Sequence, residues 1–212
     1  MSNWIDRLPD TPRAAVLGSM MGRRFARGAL IYTRKEAPQG LYVIREGTAL
    51  FALDGPKGNR FLLRILRPGD LFGESFALDG EPAGVLVEAR SDLRVDLIPA
   101  HRIAALEQAH PEIEQALARV AARHLRQTLE VLAEQALMDL PERTISRLAR
   151  LCREAGGAGP IRLELAQSEL AAMLGASRQA VHAELVKLEQ QGVLIRQFRA
   201  IACDPDRLAK LF

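Results

Sequence analysis

A chain of 212 residues, 48% hydrophobic and 26% charged, holds enough material for one large domain or two small ones with cores of their own. It has no uninterrupted apolar run near the ~18 residues of a membrane span, and MSNWIDRLPDTPR mixes both charge signs without an apolar segment. Neither a membrane anchor nor a signal peptide is expected, and a cytoplasmic location follows. The formal charge of +3 is unevenly placed: 18 Lys+Arg oppose 18 Asp+Glu in residues 1–139, whereas 11 oppose 8 in residues 140–212. Cys152 and Cys203 lie far apart and form no CxxC pair. Reduced, semi-buried thiols are expected, and a four-thiolate iron–sulfur cluster within one chain is excluded.

Residues 1–27 read as helical and partly amphipathic, with Leu17, Met20, Met21 and Phe25 apolar and Arg23, Arg24 and Arg27 polar. From Gly28 the period changes to short apolar runs punctuated by turn residues: LYVI, TALFAL, DGPKGNR, FLLRIL, RPGD, LDGEPAG, VLVEA. Leu93, Val95 and Leu97 alternate with Arg94 and Asp96, the period of two of a half-buried strand. Strands so spaced predict a small antiparallel barrel or jelly roll over residues 28–98.

Arg102 to Gln108 reads as a short helix, and a long helix is predicted from about Pro111 to Met138. Along it Ile113, Leu117, Val120, His124, Thr128, Val131, Gln135 and Met138 form a heptad-like stripe. A second line, Leu125, Leu129, Leu132 and Ala136, lies beside it. One stripe can pack on the barrel while the other pairs with a second copy of the chain; a solitary barrel-packing helix is the plainer alternative. Leu117, Val120, His124, Thr128 and Val131 are the candidate dimer-helix residues. Asp139-Leu140-Pro141-Glu142 then ends the helix and starts the next, with Asp139 as N-cap and Glu142 three residues on. A domain boundary and a hinge are expected there, followed by a helix over Thr144 to Leu151, a flexible REAGGAGP loop and a short strand at Ile161 to Leu165. The expected division is a barrel domain with flanking short helices over 1–110, a dimerisation helix over 111–138 and a further domain over 139–212.

Residues 166–192 parse as two short helices joined by a tight turn. Leu170 and Leu174 sit four apart on the first, Gly175 supplies the turn, and Ser177 is placed to cap the second. Val181, Leu185 and Leu188 should face inward, which leaves Arg178, Gln179, His182, Ala183 and Val186 on the opposite arc. Its N-terminal end is polar, where a recognition helix meets base edges. The alternative is an ordinary helical hairpin with a solvated polar face. The next stretch, VLIRQFRAIACD, reads as a β-hairpin wing in which Arg196 and Arg199 would set positive charge beside a phosphate backbone. The net positive charge of residues 140–212 agrees with a phosphate-binding module. The fold class is thus α+β: an antiparallel barrel, a long helix and a winged helix-turn-helix.

Taken in order, GLYVIREGTALFAL, LRPGDLFGE, LDGEP, the long helix ending in LMDLPERTISRLARL, ELAAMLGASRQAVHAELVKLEQQGVL and DPDRLAKL resemble the Crp/Fnr family of bacterial transcription regulators from end to end. The resemblance implies a homodimer with two winged heads on palindromic double-stranded DNA, an N-terminal effector barrel, a small-molecule effector and RNA polymerase as a partner. In the family's cyclic-nucleotide branch a Gly-Glu pair opens a cassette whose glutamate bonds the ribose, and an arginine with Ser or Thr about nine residues later neutralises the cyclic phosphate. Here Gly73, Glu74 and Ser75 stand at the opening, but the later positions read Ala83 and Gly84. A buried phosphodiester without a guanidinium partner is an uncompensated charge, so cyclic AMP is not the expected effector. Thr128 matches a helix position that contacts the purine in that branch, although Leu129 replaces a neighbouring hydroxyl residue. The plainer reading of Gly73 and Glu74 is a tight turn whose glutamate caps nearby amides.

Haem is the other cofactor weighed, but His101, His110, His124 and His182 all lie outside residues 28–98. His124 reads better as a packed polar residue setting the register of a dimer seam than as an axial ligand. In the reading head the family's Ser-Arg-x-x-Val-x-Arg becomes Ser177-Arg178-Gln179-Ala180-Val181-His182-Ala183. Arg178 keeps the reach for a bidentate bond to guanine, Gln179 can pair with adenine, and Ala183 has lost the second arginine. His182 is read evenly as a base or phosphate contact or as a solvent-exposed spacer. Ala166 stands where a Ser or Thr cap is common, at a cost of about 1 kcal/mol unless compensated. An enzyme is not expected, because the barrel stretch holds neither histidine nor cysteine for a metal and no GxSxG occurs. Alternatives are a cyclic-nucleotide- or haem-responsive regulator of the same fold, and a small-molecule-binding dimeric barrel that has lost DNA reading.

Overall fold

The computed structural model describes residues 4–56, 58–156 and 159–211, and its contacts divide into two compact units, one ending at Thr128 and one beginning at Leu129. The division falls inside the long helix. The first unit opens with a 3-10 turn, Trp4–Arg7, and helix α1, Asp10–Gly18. The helix expected to continue to residue 27 stops there. Met21–Phe25 is a strand, β1, paired residue for residue with β8 (Leu93–Pro99), from Met21↔Leu97 to Phe25↔Leu93. Gly22, Arg23 and Arg24 are all exposed, so β1 has no period of its own; hydrogen bonding to its neighbour makes it a strand.

Between them run β2 (Leu30–Tyr32), β3 (Gly40–Glu46), β4 (Ala49–Asp54), β5 (Arg60–Leu66), β6 (Leu71–Phe72), the short helix α2 (Glu74–Asp79) and β7 (Leu86–Ala89). They form two antiparallel four-stranded sheets, ordered β1-β8-β3-β6 and β2-β7-β4-β5, in a jelly-roll-like arrangement. Both sheets fill the interior: Tyr42, Phe72, Val95 and Leu97 from one meet Tyr32, Ala49, Leu66 and Val87 from the other. The unbroken LYVI run of β3 is explained by burial on both faces. Tyr42 and Ile44 enter the barrel interior, while Leu41 and Val43 join a second cluster beneath the helices.

Helices α3 (Ala100–Ala109) and α4 (Pro111–Leu137) follow. Ile113, Leu117 and Val120 are essentially inaccessible, packed in that second cluster with Ile5, Val16 and Ile98. Leu117 and Val120, expected at a dimer seam, are therefore core residues of their own barrel unit, and Val131 is buried too. The helix instead exposes the other line: Leu125 is 60% accessible, Leu129 52% and Leu132 60%.

In the second unit, α5 (Leu140–Ala155) begins at a complete capping box, in which the Asp139 carboxylate accepts from the Glu142 amide and the Glu142 carboxylate from the Asp139 amide. This cap lets α5 start a turn before the expected Thr144. At this joint the buried Glu134 carboxylate accepts from Ser146 Oγ at 3.0 Å, Arg147 Nη2 at 3.0 Å and Arg150 Nη2 at 3.3 Å. Burial and the neighbouring Arg150 pull Arg147 down to about 10. Part of the REAGGAGP loop lies outside the described residues. Then come β9 (Ile161–Leu163), α6 (Gln167–Leu174), α7 (Arg178–Gln190), β10 (Leu194–Gln197), β11 (Ala200–Cys203) and α8 (Pro205–Ala209). The strands form a small sheet ordered β10-β11-β9. Cys152 of α5 and Cys203 of β11, distant in sequence, are both buried with their thiols hydrogen-bonded to one another, which holds Cys203 protonated. No helix of the described residues is long and apolar enough to cross a membrane.

Candidate DNA interface and effector pocket

The reading head is built by a tight helix–turn–helix. Ala166 cannot accept a hydrogen bond at the start of α6, but the Glu169 carboxylate reaches back to the Ala166 amide at 2.8 Å, supplying half of a capping box. Gly175 ends α6 in the left-handed region, φ +61°, where a side chain would be strained. Ser177 then caps α7, its Oγ accepting from the Ala180 amide at 3.1 Å. Val181 and Leu185 of α7 are fully buried and Leu188 nearly so, as their spacing predicts. That fixes the opposite face outward: Ser177, Arg178, Gln179, His182 and Ala183 are exposed. Arg178 and Gln179 engage no other side chain among the described residues, so their donors stand free at the helix N-terminus.

The wing is fastened to this helix. Arg196 donates through its amide, at 2.8 Å, and through Nε, at 2.7 Å, to Glu189 of α7. Its Nη1 lies 3.4 Å from His182 Nε2, and His182 Nδ1 lies 3.1 Å from Gln167 Oε1. Those bonds from Arg196 hold Glu189 below the usual carboxylate range. Arg196, expected to offer its charge to a phosphate, is largely neutralised by Glu189 and serves to seat the wing. Arg199, at the hairpin tip, is exposed.

The effector cassette is arranged differently from its sequence reading. Gly73 precedes α2 with φ +88°, and a Cβ there would sit 2.5 Å from the Gly40 carbonyl oxygen, so only glycine fits. Glu74 is buried, as the cassette needs, but its main partner is not a run of backbone amides. His124 of α4 reaches in, with Nδ1 2.5 Å from Glu74 Oε1. A contact that short to a carboxylate assigns the Nδ1 proton as the donor. Burial pushes the Glu74 carboxyl up, but the hydrogen bond and charge of His124, with Arg64 behind it, outweigh this and leave it below its usual range. Arg64 of β5 lies over the Phe51 ring, 5.1 Å from its centroid, with Nη2 3.5 Å from His124 Nδ1 and Nη1 3.4 Å from Gln127 Oε1. Nothing in the sequence marks Arg64, since a lone arginine in a strand looks like a solvated face. The heptad spacing puts His124 on a dimer seam, whereas His124 faces the barrel.

The remaining cassette residues do not converge on Glu74. Ser75 is exposed, and Thr128 is exposed with its hydroxyl donating to the His124 carbonyl at 2.9 Å. Ala83 packs against the barrel interior. Beneath lie Tyr42 and Phe72, stacked with centroids 4.8 Å apart, and Tyr32, whose hydroxyl burial holds protonated. Among the described residues no group of three or more His, Cys, Asp or Glu is placed to hold a metal ion.

Two family descriptions match the chain: the cyclic nucleotide-binding domain over residues 22–110 and the Crp-like helix-turn-helix domain over residues 142–211. It is similar to a CRP-like cAMP-activated global transcriptional regulator of Mycobacterium tuberculosis, 29% identical over 202 residues that cover 93% of this chain and 90% of the relative. Among solved structures, a CRP/FNR-family regulator of Thermus thermophilus matches with a TM-score of 0.72 at 26% identity, covering 90% of this chain and 97% of the other. FixK2 of Bradyrhizobium japonicum matches the fold with a TM-score of 0.81 at 22% identity, covering 91% and 96%. With a matching barrel domain, a matching helix-turn-helix domain and relatives that are regulators along nearly their whole length, the chain belongs to the Crp/Fnr family of transcription regulators.

Proposed function

We propose that the protein is a cytoplasmic homodimeric regulator that reads a palindromic duplex and acts on RNA polymerase, with an effector other than cyclic AMP. The observation that carries the reading is the free Arg178–Gln179 pair at the N-terminus of the Ser177-capped helix. Arg178 supports a bidentate contact to guanine, with Gln179 beside it for adenine. Ala183 leaves the position of the second family arginine without a donor, so the half-site should differ from that of relatives that keep it. Two heads on a two-fold dimer would meet successive major grooves ~34 Å apart.

Several features argue against cyclic AMP. Ala83 offers no guanidinium to the phosphate, and Glu74, the residue a ribose would need, is engaged by His124. Haem ligation by His124 would break the same pair. The effector would then be a small molecule of other chemistry, or the protein would act without one.

The test is selection of binding sequences from random duplex DNA by the purified protein with nothing added. A palindrome with half-sites about 10 base pairs apart is expected. Arg178→Ala should lose ~1–3 kcal/mol of discrimination at one base pair per half-site while remaining folded. An Arg178→Ala protein with unchanged sequence preference would remove Arg178 as the reader.

A further inference from the structure

The tip of the wing holds two residues that the fold itself does not call for. Phe198 is 91% exposed. Arg199 takes a left-handed backbone, φ +52°, where glycine or asparagine carries less strain. Strand pairing ends at Gln197↔Ala200, so neither side chain belongs to the ladder, and Arg199 has no ion pair among the described residues. A phenyl ring left in water contributes nothing to folding. Adjacent residues that break local preference without benefit to the core mark a position shaped by function.

The surroundings say what covers them. Arg196 fastens β10 to α7 through Glu189 and lies against His182, on the exposed face that also carries Arg178 and Gln179. A helix seated in the major groove would carry a hairpin fixed to its flank over the backbone and toward the neighbouring minor groove. Residues 195–203 contain no acidic side chain. With Arg196 neutralised by Glu189, Arg199 is the cation that this tip presents to a polyanion. An apolar side chain beside an arginine is the combination that proteins use to enter the minor groove and part a base step.

We infer that Phe198 is an apolar wedge, inserted into the minor groove at a base step flanking each half-site, with Arg199 on the phosphates beside it. The inference rests on the DNA-binding reading and adds a contact outside the bases read by Arg178. Pyrimidine–purine steps open most readily, so a TA or CA step is favoured at the contacted position. The protein would thus read its flanks by deformability.

The experiment uses the full-length protein on its selected duplex, with 2-aminopurine at the flanking step, and compares wild type with Phe198→Ala, Phe198→Trp and Arg199→Ala. Phe198→Ala should bind about ten-fold more weakly. It should keep the wild-type salt dependence, bend the duplex less and leave 2-aminopurine stacked. Phe198→Trp should retain affinity, with its emission quenched on binding; the native Trp4 is buried in the barrel unit and gives a steady background. Arg199→Ala removes one phosphate contact at each half-site and should lower the salt slope by ~2. Replacing the flanking TA step by GG should weaken wild type and leave Phe198→Ala unaffected. If wild type binds its site and Phe198→Ala matches it in affinity, bend and base stacking, the wedge is overturned and the regulator reading stands. Loss of RNA polymerase binding by Phe198→Ala with DNA affinity intact also overturns it and makes the tip a protein contact. A wild-type chain that selects no duplex overturns both readings together.

Discussion

Glu74 carries the clearest electrostatic consequence at the residue scale. Its carboxylate is buried and held by His124 Nδ1 at 2.5 Å, so its charged form is stabilised in the folded protein more than in the unfolded chain. A carboxyl lowered on folding contributes stability that is present above its unfolded pKa, about 4.3, and is lost as pH falls through the lower folded value. The barrel unit should therefore melt earlier as the pH drops from about 5 toward 3. Glu74→Gln should flatten that acid limb while leaving the midpoint at neutral pH lower than wild type. Thermal unfolding across a pH series reads both; an acid limb as steep in Glu74→Gln as in wild type would assign the sensitivity to other carboxylates. His124→Ala is the harsher change, because it strands a buried charge, a loss of about 3–5 kcal/mol where no other cation compensates. Arg64, close behind, should soften it.

At the scale of elements, α4 shows what sequence periodicity can and cannot say. Both apolar lines were legible from spacing, yet the heptad count alone did not say which of them packs on the barrel. Ile113, Leu117 and Val120 are buried by the chain's own strands and N-terminal helix, while Leu125, Leu129 and Leu132 are exposed and form the seam of the proposed dimer. Leu129→Glu should therefore convert a dimer into a monomer at micromolar concentration in sedimentation experiments, with helix content by circular dichroism retained. A wild-type protein that already sediments as a monomer would remove the seam. The same contrast runs through the rest of the chain. The helix-turn-helix and the Ser177 cap were legible, because caps and apolar period are local properties. Strand β1 was not, because its order comes from β8. Nor were the Cys152–Cys203 and Glu74–His124–Arg64 contacts, which arise only when distant segments meet. Glu169 makes good half of the missing Ala166 cap, a repair that the sequence contained three residues on.

For the whole molecule, the question is how far a shared architecture carries its ligand with it, since a fold hosts a function only through the site grafted on it. The barrel and reading head are those of the family, whose Mycobacterium tuberculosis relative is named for activation by cyclic AMP. The site differs where that chemistry is most demanding: Ala83 stands where the cyclic-nucleotide branch carries its phosphate arginine, and His124 already holds Glu74, the carboxylate that would have to meet a ribose. Linkage turns this into a measurement. A ligand that binds only the native state at one hundred times its Kd adds ~2.7 kcal/mol, several degrees in the midpoint of a chain this size. Cyclic AMP at millimolar concentration should leave the barrel transition of the wild-type protein where it was. Ala83→Arg with Gly84→Ser should restore the charge partner, and removal of the internal competitor by His124→Ala should free Glu74 for the ribose. If the triple variant gains a midpoint shift with cyclic AMP, measured against its own ligand-free melt, the loss of binding is localised to these positions. A shift already present in wild type would mean that Arg64 neutralises the phosphate in place of the cassette arginine, and the barrel would be a cyclic-nucleotide sensor after all.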